Sequence, residues 1–407
     1  MKRLILMMLA AALMMLGGCA MAEYKEEAWY AEALKESEVS LGNNLRLKRV
    51  IERAKSGEQI TVATVGGSVT EGSLASTYNE CWAMRFAAMF GKTYGTEDGA
   101  NVALVNSGVA GTPSPFGYMR YGRDVLERVP ETDPDGYPDL VIIEYAVNDW
   151  AEPTKCRCYE SMVKEILAQP NAPAVMLLFA ARNDGWNVQD DLQRIGMRYE
   201  LPMVSVRDGL HKHLDRDFPK NKFYKDEYHP ASVGHAMMAD ALMQAVADAW
   251  AAEPAEADLD LNSIKPVYGT DFLGLKTVYG DKSAEGITVE RGSFDKIDKT
   301  TYSNKPVGQV CGKNFCHGTT SGTEPMKVTG VFRKCLIAWK ATNENTYGSA
   351  EVLVDGVVKT TLKGSSGKWG QSDITLVLDE KEAAEHTIEI RVREEGKRFT
   401  VTAVSVQ

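Results

Sequence analysis

Four short blocks of the sequence carry side chains of the types that acyl transfer needs. The first, Gly66-Gly67-Ser68-Val69-Thr70-Glu71-Gly72, sets a serine among glycines that let the backbone turn sharply and leave the hydroxyl accessible. It is not the Gly-x-Ser-x-Gly elbow of α/β-hydrolases, and no Gly-Lys-Ser/Thr ends it, so a phosphate loop is excluded. The second, Asn106-Ser107-Gly108-Val109-Ala110-Gly111-Thr112, exposes backbone N–H groups that can meet a developing oxyanion. The third, Glu144-Tyr145-Ala146-Val147-Asn148-Asp149, offers the Asn148 carboxamide as a donor to the same charge. The fourth, Asp226-Glu227-Tyr228-His229-Pro230, places an imidazole three residues from a carboxylate. A serine hydroxyl is a poor nucleophile until a base takes its proton, and an imidazole oriented by a carboxylate supplies that base. Read singly, the blocks are equally two tight turns, a strand-end cap and a helix entry. Their occurrence in order, with complementary roles, points to catalysis.

Each block stands at the end of a predicted strand or the start of a predicted helix. Apolar runs at 59–65, 102–105, 140–145, 175–179 and 203–206 predict buried strands. Amphipathic stretches at 81–90, 117–129, 160–168, 188–199 and 232–250 predict helices, and an earlier helix is expected over 28–55. Such β-α alternation predicts a parallel sheet covered on both faces, with ligands bound at the carboxyl ends of the strands. The acidic, proline-containing stretch 251–261 reads as a linker. Beyond it the period changes to two, at 328–339, 350–358, 374–378, 386–392 and 399–406, which predicts an antiparallel β-sandwich. Asp355-Gly356 between valine-rich runs is a type I′ hairpin signal.

In these four blocks the sequence resembles the SGNH (GDSL-like) hydrolase superfamily, over about residues 60–250. The resemblance implies an α/β domain of the three-layer, flavodoxin-like kind, followed here by the all-β sandwich. It implies Ser68 as nucleophile, and an oxyanion hole made of the Ser68 and Gly111 N–H groups and the Asn148 side chain. His229 would act as general base and then acid, with Asp226 orienting it. Gly108 is the other candidate in the second block, and the Asn-x4-Gly spacing favours Gly111. Two departures stand out: Ala146 where the family has Gly-x-Asn-Asp, and Gly67 where it has Gly-Asp-Ser. Both are similar to a subset of secreted bacterial members that act on polysaccharides. Cys81-Trp82-Ala83 and the run 117–126, with Arg120, Arg123 and Asp124, look like that subset too.

The implied activity is hydrolysis of acyl esters, foremost acetyl, on a polysaccharide or oligosaccharide, through an acyl-enzyme and without metal or organic cofactor. Trp82 and Arg120 are candidate substrate contacts, against core packing for the first and an ion pair with Asp124 for the second. Trp150 and Trp186 are candidate platforms for a sugar face. A lipase, thioesterase or lysophospholipase is the second reading. A surface glycan-binding protein with an inactive hydrolase half is the third, and the intact Ser68, Asn148, Asp226 and His229 speak against it.

The 407 residues carry a net charge of −10, so a basic face for nucleic acid is not expected. With 44% hydrophobic and 25% charged residues the chain has the composition of a globular protein. Lys2 and Arg3 precede an apolar run at 4–16, shorter than the ~20 residues of a membrane span, which reads as an export signal over 1–18. Leu16-Gly17-Gly18-Cys19 resembles a bacterial lipobox, with Cys19 as lipidation site and the chain's one link to a membrane. Cleavage after Ala20-Met21-Ala22 is the alternative, giving a secreted rather than an envelope-anchored protein. The expected organisation is a hydrolase domain at 24–250, the linker, and a β domain at 262–407 that binds glycan or serves as a packing partner. Export permits disulfides, and Cys311 with Cys316, near Cys335, is a candidate bridge. The cysteine spacings match no zinc module. His235 is expected to be a packed or capping residue rather than a second base, and His211 and His213 to face solvent.

Overall fold

The computed structural model describes residues 23–133 and 135–407, so the stretch 1–18 expected to be an export signal and Cys19 lie outside the described residues. The first half is built on a six-stranded sheet of β1 (Glu38–Ser40), β2 (Ile60–Gly66), β3 (Val102–Gly108), β4 (Leu140–Glu144), β5 (Ala174–Phe179) and β6 (Met203–Ser205). Their order is β1-β6-β5-β4-β2-β3, with β2 to β6 parallel and β1 antiparallel at the edge. Without β1 this is the flavodoxin-like order, in which the chain reverses direction across the sheet between β2 and β4. Side chains alternate across the strands and set the layers. Leu140 and Ile142 pack under the helices Trp82–Tyr94 and Ser232–Ala251, while Val141 and Ile143 pack under Arg157–Leu167 and Gln189–Arg198. Strands buried on both faces read as continuous apolar runs, which is why they were visible in the sequence.

Two expected helices are broken. The stretch 28–55 forms Ala28–Ser37 and Leu45–Ser56, separated by β1. Gly42 makes the break possible: its φ is +58°, and a Cβ there would lie 2.3 Å from the Glu200 carbonyl. The stretch 117–129 divides into Ser114–Met119, Tyr121–Asp124 and a 3-10 turn, Leu126–Arg128. Arg120, at φ −106° and ψ 3°, leaves the helical conformation between them.

The second half is an eight-stranded antiparallel sheet. Its strands are β7 (Lys276–Val278), β8 (Ile287–Glu290), β11 (Phe315–His317), β12 (Met326–Thr342), β13 (Ser349–Val354), β14 (Val357–Lys363), β15 (Trp369–Val392) and β16 (Phe399–Val406), while β9 (Ser303–Asn304) and β10 (Gly308–Gln309) pair separately. The strands expected at 374–378 and 386–392 are one strand, β15, because it follows β12 with three register shifts along the way. Asp355 (φ +51°) and Gly356 (φ +77°) join β13 to β14, both left-handed as a type I′ turn requires.

The two halves share a core. Val109, Phe116 and Met119 belong to one apolar cluster with Phe272, Tyr279, Leu336, Ala338 and Ala403. The segment 252–261 has no regular helix or strand but is fastened to the first half: Asn44 Nδ2 donates to the carbonyls of Ala249 and Glu253 at 3.0 Å, and Arg46 pairs with Asp258 at 2.8 Å. Cys81, Cys156, Cys158, Cys311, Cys316 and Cys335 are all free thiols, so the candidate bridge is not formed. Cys316 lies in β11 opposite Thr400, while Cys311 occupies a left-handed turn position. His213 does not face solvent; it is buried beside Trp29, with Asp217 2.8 Å from its Nδ1. Among the described residues no helix is long and apolar enough to cross a membrane.

Candidate active site

The four blocks converge at the carboxyl ends of β2, β3 and β4, beside the reversal in strand order. Ser68 opens the short helix Ser68–Glu71 directly after β2, so its N–H is not spent on an intrahelical bond. His229 Nε2 lies 2.9 Å from Ser68 Oγ, and on the other side of the ring Nδ1 lies 2.8 Å from Asp226 Oδ2. Asp226 Oδ1 also accepts the N–H groups of Tyr228 and His229, each at 2.8 Å. Burial pulls the Asp226 carboxyl upward, but the bonds from the His229 ring and the two amides outweigh it and hold the group below its ordinary range. The local turn that Asp226 caps thus also sets the imidazole at the serine.

Of the two glycines in the second block, Gly111 faces the cleft and Gly108 does not. The Gly108 N–H is taken by Asn106 Oδ1 at 2.8 Å, and a Cβ on Gly108 would lie 2.1 Å from the Glu71 nitrogen. Gly111 has φ +69°, and among the described residues nothing accepts its N–H. Asn148 lines the same cleft with its carboxamide against Gly67, where a Cβ would come within 2.3 Å of Oδ1. Ala146 is absent from the positive-φ residues, so the methyl that replaces the family's glycine is accommodated without backbone strain.

Two buried carboxyls brace this arrangement from below. Glu144 accepts from Thr70 Oγ1 at 2.9 Å, and its burial raises it to about 7. Asp149 accepts the Ser114 N–H at 2.8 Å, tying the third block to the chain just after Gly111; burial pushes it well above the carboxylate range.

The cleft has a volume of about 590 Å³. Ser68, Asn148, Trp150, Tyr228 and His229 line it from the first half, and Tyr302, Trp369 and Gln371 line it from the second. Trp150 is 72% exposed, Trp369 50% and Tyr228 40%. The Tyr302 ring meets that of Trp369 edge-on at 4.9 Å. Arg182 lies between the rings of Tyr228 and Trp186, 5.0 Å and 5.6 Å from their centroids.

Two expected substrate contacts are displaced from the cleft. Trp82 is fully buried in the core, at the start of the helix Trp82–Tyr94, where the His235 ring accepts its backbone N–H at 3.3 Å. Arg120 is 1% exposed; it donates to the backbone and hydroxyl of Ser107 and pairs with Asp124 at 2.7 Å, so it braces the end of β3. The contributions of Tyr302, Trp369 and Gln371 were not read from the sequence. They lie more than 70 residues beyond the fourth block, in a segment whose own pattern reports only strands and turns. Tyr228, next to His229, had a local signal in its position within the fourth block.

Residues 64–237 match the GDSL-like Lipase/Acylhydrolase family. No curated protein matches the sequence. The fold is similar to that of a two-domain esterase (CEX) active on acetylated mannans, at TM-score 0.79 and 23% identity, covering 92% of this chain and 98% of that one. The structure of the same esterase co-crystallized with mannopentaose matches at TM-score 0.78 with 23% identity, covering 92% and 97% of the two chains. The likeness establishes a shared two-domain fold, an α/β unit followed by an antiparallel β unit.

Proposed function

On the premise that residues 64–237 form a GDSL-like lipase/acylhydrolase domain, we propose that the chain is an exported serine esterase that removes acetyl or similar short acyl groups from polysaccharides. The observation that carries this reading is the chain of contacts Ser68 Oγ–His229–Asp226 in a cleft rimmed by exposed aromatic rings.

These contacts support an acyl-enzyme route. Ser68 Oγ attacks the ester carbonyl carbon while His229 Nε2 takes its proton, and the Asp226 carboxylate stabilises the imidazolium that forms. The N–H groups of Ser68 and Gly111 and the Asn148 carboxamide meet the oxyanion. Collapse of the tetrahedral intermediate expels the sugar hydroxylate, which receives the proton from His229. Water, deprotonated by the same imidazole, then releases the carboxylic acid and restores Ser68.

Trp150, Trp369 and Tyr228 favour a glycan over a lipid. Flat, exposed rings with polar edges suit a pyranose face, and the lining offers little of the continuous aliphatic surface that a long acyl chain would need. The shared architecture makes acetylated mannan the first substrate to test and acetylated xylan the second. Release of acetate by the wild type and not by Ser68→Ala is the expected result; equal release by both overturns the assignment. For the export address, radiolabelled palmitate should label the wild type and not Cys19→Ala.

A further inference from the structure

The loop that carries the Gly111 N–H is held from both units, and the second unit's contacts fall on the residues around Gly111. Asn304 Nδ2 donates to the Gly108 carbonyl at 3.0 Å, and Gln371 Nε2 donates to the Gly111 carbonyl at 3.1 Å. The Tyr302 hydroxyl donates to one carboxylate oxygen of Glu71, whose other oxygen accepts the Ala110 N–H at 2.7 Å. Burial and the neighbouring Glu71 carboxylate raise the Tyr302 phenol, which keeps it a donor. The Trp369 ring closes over the glycine, and a Cβ on Gly111 would be 2.9 Å from its Cζ2.

These contacts have a specific geometric consequence. The Gly111 N–H belongs to the peptide unit between Ala110 and Gly111. The unit before it is tied through the Ala110 N–H to Glu71 and Tyr302, and the unit after it through the Gly111 carbonyl to Gln371. Gly111 itself has a left-handed φ, so a flexible residue is fixed by Glu71 of the first half together with Tyr302 and Gln371 of the second. An oxyanion donor is effective because its orientation is set before the reaction, and a misplacement of about 1 Å can cost about 10²-fold in rate.

We propose that Gln371 and Tyr302 are positioning residues for the oxyanion loop, so that the β unit completes the catalytic machinery as well as contacting glycan. The proposal rests on the esterase reading above and adds to it a requirement that has nothing to do with sugar binding.

The test uses the full chain and p-nitrophenyl acetate, an ester with no sugar. Gln371→Met removes the donor at nearly constant volume, and Tyr302→Phe removes the hydroxyl and keeps the ring. Each variant should lose about 10-fold in kcat/KM, and the double variant about 100-fold, with melting temperatures close to wild type. Phosphonylation of Ser68 by a fluorophosphonate, whose P–O must enter the same hole, should slow in parallel, while the pH dependence of kcat/KM keeps its shape. Gln371→Lys, which restores a donor, should recover part of the rate. If both variants match wild type on p-nitrophenyl acetate and lose activity only on acetylated oligosaccharides, the second unit acts through sugar contacts and the positioning role is overturned. If Ser68→Ala hydrolyses p-nitrophenyl acetate as fast as wild type, the esterase reading falls and this proposal with it.

Discussion

Gly67 packs so closely on Asn148 that a Cβ built on it would lie 2.3 Å from Asn148 Oδ1 and 2.8 Å from Nδ2. The residue before the proposed nucleophile and the proposed side-chain donor of the oxyanion hole therefore leave no room between them for a methyl. A methyl at position 67 must push the carboxamide aside, and loss of one such donor costs on the order of 10² to 10³ in kcat. Gly67→Ala should accordingly lose about 10²-fold in p-nitrophenyl acetate hydrolysis while melting near the wild-type temperature. Gly67→Asp, which writes the family's commoner Gly-Asp-Ser into this chain, should fare no better. Wild-type turnover in Gly67→Ala would show that the carboxamide has room to move without cost.

Asp226 gives a second prediction, with a pH signature. Hydrogen bonds from the His229 ring and two amides hold its carboxyl below the ordinary range despite partial burial. A depressed carboxyl contributes stability that is fully present above its unfolded value and is lost as pH falls through the lower folded value. Asp226 thus stays ionised through mild acid and adds no step of its own to the pH dependence of kcat/KM in that range. Asp226→Asn preserves an acceptor for the two amides but not the charge that stabilises the imidazolium, and should lower kcat by about 10³-fold. A step in mild acid that is present in the wild type and absent from Asp226→Asn would mean that the carboxyl is not held ionised.

The four blocks were legible because each is local. Ser68 follows a strand whose residues are all buried, and Asp226 and His229 meet within a single turn of chain. The layers were legible for the same reason, since a strand covered on both faces is largely apolar. Tertiary effects were not. Gly42, a single left-handed residue, converts one amphipathic stretch into two helices and an edge strand. Arg120 has the composition of a cleft residue, yet its guanidinium finds the Ser107 carbonyl and Asp124 and turns inward. The wall formed by Tyr302, Trp369 and Gln371 depends on the docking of two units through a shared core, and periodicity within either unit carries no trace of that.

Trp150 offers a test of the glycan rim that leaves the chemistry untouched. It is 72% exposed and stands two residues after Asn148, within the cleft lining. Stacking of an aromatic ring is worth about 1 kcal/mol, so Trp150→Ala should raise KM for acetylated mannooligosaccharides about 5-fold to 10-fold. The kcat/KM for p-nitrophenyl acetate should stay within about twofold of wild type, because that substrate reaches only the nucleophile and the oxyanion hole. Equal losses on both substrates would assign Trp150 to the support of Asn148 rather than to sugar binding.

Glu144 yields a prediction about stability. It lies fully buried beneath the Ser68 turn, and its burial raises it from 4.5 to about 7. Between these values the folded protein binds more protons at this site than the unfolded chain does. The stability contributed by the protonated carboxyl is therefore present at pH 4.5 and below, and is lost as pH rises to about 7. The full loss across that window is about 3 kcal/mol, since holding one extra proton is worth ~1.4 kcal/mol for each step of one in pH. Glu144→Gln keeps an acceptor for Thr70 Oγ1 and removes the titration. The variant and wild type should melt at similar temperatures near pH 5, and the variant should be the more stable by several degrees at pH 8.5, by calorimetry. A gap between the two melting temperatures that does not change with pH would mean that the Glu144 carboxylate is stabilised by contacts stronger than its bond from Thr70.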